Sequence, residues 1–105
     1  MTKRDEHGRE YYEVDVAGYK SDSDLALCSL TARGLWLDMI FIAGGSPERD
    51  VLLLPNGKVL TESDIARLSG ETLATVLAKI EELEQHSLVE RRPDGAIRCI
   101  NKYFK

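Results

Sequence analysis

Six side chains in the C-terminal third have the types and spacing that engage a polyanion. Thr72, Thr75 and Lys79 recur three and four residues apart within one helical stretch, so they share a face. Arg91, Arg92 and Arg98 flank a Pro93-Asp94-Gly95 turn, the composition of a short hairpin with a basic tip. Hydroxyls near a helix start approach base edges or phosphates, and hairpin arginines neutralise phosphates. These six residues are the candidate DNA-binding set, and double-stranded DNA is the expected partner.

Other chemistries lack their residues. His7 and His86 have no second ligand at useful spacing, which predicts no metal site. His86 ends a helical pattern, where it complements the negative helix terminus. Glu81, Glu82 and Glu84 form a solvated helical face, not a catalytic pair. Gly44-Gly45 lacks the further glycines and lysine of a phosphate-cradling loop. No nucleophile has a recognisable base. The chain is read as a non-enzyme with no catalytic residue, metal or cofactor.

Net charge at first opposes nucleic-acid binding, being −4 over 105 residues. The distribution softens this: residues 86–105 carry five cations against Glu90 and Asp94, and the acidic excess lies before them. Hydrophobic content of 43% and charged content of 30% are ordinary for a globular domain. The longest apolar run, Leu35 to Ala43, is interrupted by Asp38 and too short for a membrane span. Cys28 and Cys99 sit among apolar neighbours without C-x-x-C spacing, so reduced core thiols and a cytoplasmic location are expected.

The elements that position the six residues follow from periodicity. Residues 1–10, with six charged side chains, are read as a flexible N-terminal arm, and residues 11–105 as a single domain. Tyr11–Val16 alternates like a strand, Gly18–Asp24 is turn-like, and Ser21 or Asp22 caps a short helical turn. Leu30 to Ala43 is apolar on nearly all sides and predicts a central core helix around Trp36. Asn56-Gly57 between apolar runs predicts a hairpin over residues 51–60. Thr61 and Asp64 resemble a capping box, and Gly70 ends that helix.

The next helix, to Gln85, is assigned an inward stripe of Leu73, Val76, Leu77, Ile80 and Leu83. Two β-like strings, 88–92 and 96–100, close the pattern. The expected core comprises Leu35, Trp36, Met39, Ile40, Ile65, Leu68, Leu88, Val89 and that stripe. Helix, glycine turn, helix and basic hairpin is the order of a winged helix-turn-helix. The expected fold is α+β, mainly helical with a small antiparallel wing sheet.

The words Ser23-Asp24-Leu25 and Cys28-Ser29-Leu30-Thr31-Ala32-Arg33-Gly34-Leu35-Trp36-Leu37-Asp38-Met39 carry a resemblance. So do Pro55-Asn56-Gly57-Lys58, Ile65-Ala66-Arg67-Leu68-Ser69-Gly70 and Asp94-Gly95-Ala96-Ile97. Together they resemble the N-terminal, DnaD-like winged-helix domain of phage-type replication initiators, or replisome organisers, over about three quarters of the chain. The resemblance implies a role in phage or prophage replication initiation, by origin-DNA binding or self-association, with a helicase or helicase loader as a further partner. The chain departs from the family in ending at Lys105, just past the wing. That implies a domain of a longer protein or a stand-alone small phage protein. Its outer helix face is also less basic than a dedicated DNA reader's. Two alternatives stay open: an interaction or oligomerisation module without DNA binding, and a small transcriptional regulator. Self-association is expected through the N-terminal region, around Tyr11-Tyr12, or through the Val51–Leu54 strand edge.

Overall fold

The structure, a computed structural model, describes residues 2–105 and is of α+β class, with five helices and two small antiparallel sheets among them. Strand β1 (Lys3–Arg4) pairs with β2 (Glu10–Tyr11), and the Asp5 carboxylate accepts the His7 and Arg9 amides in the turn between them. This hairpin is drawn mostly from the segment expected as a flexible arm; Met1 lies outside the described residues. Of the expected strand Tyr11–Val16 only Tyr11 lies in a strand, as the end of β2; Val14 instead bridges Phe104 near the C-terminus.

The turn-like segment after it is helical in part. Helix α1 (Val16–Ser21) forms because the Asp15 carboxylate accepts the Gly18 amide at 3.0 Å, a cap the composition did not advertise. Asp22 then caps α2 (Ser23–Leu27) through the Leu25 amide. Helix α3 (Leu30–Ala43) starts at Ser29 and buries Ala32, Leu35, Trp36, Met39, Ile40 and Ala43. Its all-round apolarity is only partly used, since Leu30 and Phe41 stay exposed. Trp36 is 0% exposed and donates its indole Nε1–H to the Leu88 carbonyl at 3.0 Å.

Residues 51–60 turn back at Pro55-Asn56-Gly57, where Gly57 takes φ +85° and Leu53 bridges Val59. Val51 also bridges Arg98, and the Leu52 amide donates to the Ile97 carbonyl. This segment therefore lies beside the C-terminal hairpin, β3 (Val89–Arg91) and β4 (Ile97–Cys99), which pairs Glu90 with Arg98. Helix α4 (Glu62–Ser69) begins with the complete capping box of Thr61 and Asp64 and ends at left-handed Gly70. Helix α5 (Leu73–Gln85) follows at once, with Thr72 as its cap.

The phase of α5 differs from the expected one. Its buried side is Val76, Ile80 and Leu83, whereas Leu73 is 43% and Leu77 45% exposed. Leu68 on α4, also expected in the core, is 56% exposed. The cause is a contact on the opposite flank: Glu82 accepts the Ser29 amide at 2.5 Å and the Ser29 hydroxyl at 3.1 Å. That bond turns the Thr75–Lys79–Glu82 side toward α3 and rolls Leu73 and Leu77 outward. Core volume comes instead from Leu25, Cys28, Leu52, Ile97, Cys99 and Phe104.

This phase sets a clear contrast. Leu83→Ala should cost about 2 to 5 kcal/mol, the range for a buried leucine, and Leu77→Ala under about 1 kcal/mol. Urea denaturation of both variants measures the difference; equal losses would place Leu77 in the core.

Candidate functional site

The six candidate residues do not converge on one surface. Thr72 spends its hydroxyl on the cap, accepting the Thr75 amide at 3.1 Å and donating to the Thr75 hydroxyl at 2.9 Å. Thr75 and Lys79 line a groove of about 330 Å³ against Thr31, Gly34, Leu35 and Asp38 of α3. Lys79 pairs there with Glu82 at 3.3 Å. The expected reading face is thus turned partly into the protein.

The hairpin arginines all lie near carboxylates, and Arg91 and Arg92 are hydrogen-bonded to theirs. Arg91 bridges Glu62 of α4 and Glu84 of α5, the latter at 3.1 Å. Those acceptors raise its guanidinium above the ordinary value, Glu62 first, and Glu62 is lowered in turn by Arg91. Arg92 pairs with Glu48 and Asp94, both at 2.7 Å. Arg98 lies 3.5 Å from Glu90 and 3.8 Å from Glu48. Glu48, Glu62 and Glu84 all precede the basic segment in sequence, so the folded hairpin meets charges that a count over residues 86–105 leaves out. A phosphate approaching Arg91 or Arg92 must displace a carboxylate, whereas the buried Nε of Arg98 has no hydrogen-bond partner among the described residues.

What α5 turns to solvent is Leu73, Ala74, Leu77, Ala78, Glu81 and Gln85, and Leu68 of α4 is exposed as well. No lysine or arginine of α5 is on this side. The residues were visible in the sequence, where Leu73-Ala74 and Leu77-Ala78 repeat one turn apart. The signal missed was the breadth of the apolar surface: the five-residue stripe plus two alanines is wider than one packed face needs. A second apolar surface surrounds Tyr11, Val14 and Phe41, which with Tyr12 and Phe104 line a groove of about 380 Å³.

Among the described residues no three His, Cys, Asp or Glu side chains gather as a metal site. No helix there is long and apolar enough to cross a membrane. Cys28 and Cys99 are free and buried; burial pushes the Cys99 thiol up to about 12. His86 occupies the C-cap of α5.

The Ser29 amide, and then its hydroxyl and Lys79, hold the Glu82 carboxyl below its ordinary value of 4.5. A carboxyl lowered on folding stabilises the folded chain above that value and loses the contribution as pH falls through its lowered one. Glu82→Gln should therefore lower Tm most near neutrality, and the gap to wild type should close below pH 4.5. Thermal melts across pH test this; a gap that widens on acidification would contradict it. Comparison of the chain with protein-family models, curated proteins and solved structures gives no match.

Proposed function

We propose that this chain is a winged-helix protein-interaction module, with α4 and α5 as its helix-turn-helix and β3–β4 as its wing. The resemblance to phage-type replisome organisers supports a setting in replication initiation, where such a module joins initiator copies or recruits a helicase or its loader. One observation carries the reading: α5 turns Leu73, Ala74, Leu77 and Ala78 to solvent, with Glu81 and Gln85 on the same side and no cation. A surface of that composition desolvates cheaply against another apolar surface and offers nothing to phosphate.

Duplex DNA is the second reading, favoured by the order of the elements and by three arginines on the wing. It requires Arg91, Arg92 and Arg98 to exchange their carboxylates for phosphates. The protein's net charge of −4 opposes that approach.

Fluorescence anisotropy with labelled duplex at low salt separates the two. The interaction reading expects no saturable binding. Binding whose salt slope falls by about 0.9 for each of Arg91, Arg92 and Arg98 replaced by alanine would establish the DNA reading in its place.

A further inference from the structure

We infer that the cleft between α1, α2 and α3 is a carboxylate-binding site, with Arg33 and Lys20 as its cations and Tyr19, Leu25 and Ala26 as its apolar wall. The ligand class is a monocarboxylate with an apolar group next to the charge, as in the C-terminal residue of a peptide or a small free acid. None of these residues belongs to α4, α5 or the hairpin, so the inference is independent of the interaction reading of α5.

The cleft holds about 230 Å³ and is lined by Tyr19, Lys20, Asp22, Leu25, Ala26 and Arg33. Asp22 ends α1 and caps α2, and this joint brings Tyr19 and Lys20 of one helix beside Leu25 and Ala26 of the next. Arg33, in the first turn of α3, closes the cleft.

Arg33 is what points to a ligand. Its Nε is buried and has no hydrogen-bond partner among the described residues. Every other arginine has a carboxylate within ion-pair distance, Arg98 included, at 3.5 Å from Glu90. Arg33 has none among the described residues, and neither has Lys20. A guanidinium enclosed without an acceptor is costly. Its planar fork matches a carboxylate through two parallel N–H···O bonds, and Lys20 adds a second positive charge on the same cleft.

Asp22, the one acid in the lining, is already engaged. Its Oδ1 accepts the Leu25 amide at 3.0 Å and its Oδ2 accepts the Tyr103 hydroxyl. Those bonds, Tyr103 first, hold its carboxyl below the ordinary value, so it carries a full negative charge. Two cations against one acid leave a single positive charge. A monoanion neutralises that charge, and a phosphate dianion exceeds it. The wall sets what accompanies the anion: Leu25 is buried and Tyr19 is stacked on Trp36, so both are fixed in place. The cleft is smaller than the sites of drug-sized ligands, which run from about 300 to 1,000 Å³, and this limits the ligand to the size of one residue.

Backbone amide NMR titration near neutral pH with N-acetyl-leucine tests the site. Saturable shifts are expected at Tyr19–Ala26 and Arg33, with a dissociation constant of about 1 to 10 mM. N-acetyl-leucinamide, which keeps the apolar chain and lacks the charge, should give none. Isovalerate separates the two sources: weaker binding than N-acetyl-leucine assigns a peptide terminus, equal or tighter binding a free acid, and both keep the site. Arg33→Gln should weaken binding about tenfold, and Arg33→Lys, which restores the charge without the fork, should not recover it fully. Lys20→Gln, at an exposed position, should weaken it about threefold, and Lys58→Gln should leave it unchanged. Inorganic phosphate binding more tightly than N-acetyl-leucine, equal binding of the amide, or shifts that survive both Arg33→Gln and Lys20→Gln would overturn the inference.

Discussion

The indole of Trp36, donating to the Leu88 carbonyl at the start of the hairpin, is the contact that the rest of the structure depends on. The same carbonyl accepts the Ile100 amide, so one oxygen ties α3 to both ends of β3–β4. An indole N–H buried without an acceptor would be costly, and here the fold that buries the ring also supplies the acceptor. Around the ring, Tyr19 of α1 stacks with centroids 6.4 Å apart and Phe104 meets it edge-on at 6.0 Å. Phe104 in turn bridges Val14, which ties the C-terminal segment to the N-terminal region. One side chain thus sets the relation of the central helix, the hairpin and both chain ends.

With α3 and the hairpin fixed, the rotation of α5 is decided by a polar contact at its edge. Glu82 bonds Ser29, whose own hydroxyl accepts the Ala32 amide as the cap of α3. The start of one helix is therefore organised by the end of another. The consequence for function is indirect but large: the same rotation that serves the cap leaves Leu73 and Leu77 outside. The arginine clusters act in a similar way. Exposed ion pairs add little stability, but Arg91 joins β3 to α4 and α5 and so sets the angle of the hairpin. They also dispose of the positive charge that a phosphate-binding surface would need.

Much of this was legible in the chain. Thr61, Asp64 and Gly70 mark their helix boundaries because caps and left-handed turns use local chemistry that a sequence displays directly. Asn56-Gly57 and Asp94-Gly95 likewise mark their turns. Helix existence was readable for α3, α4 and α5, but the phase of α5 was not. Leu73, Val76, Leu77, Ile80 and Leu83 spread over an arc in which either edge satisfies the periodicity. The edge that is buried was chosen by Glu82 and Ser29, 53 residues apart. Arg91, Arg92 and Arg98 looked free for the same reason, since Glu48, Glu62 and Glu84 arrive from distant segments to join Glu90 and Asp94 of the hairpin itself. Local rules see caps and turns; they do not see which distant acid meets which base.

On the proposed reading, α5 works through its exposed leucines and not through its neighbours' cations. Backbone amide NMR shifts followed as duplex DNA is added at low salt test this most directly, because they locate a contact residue by residue. The expected result is no saturable shift at Thr72–Lys79 or Arg91–Arg98. Saturable shifts centred on the hairpin arginines and the start of α5 would contradict the reading.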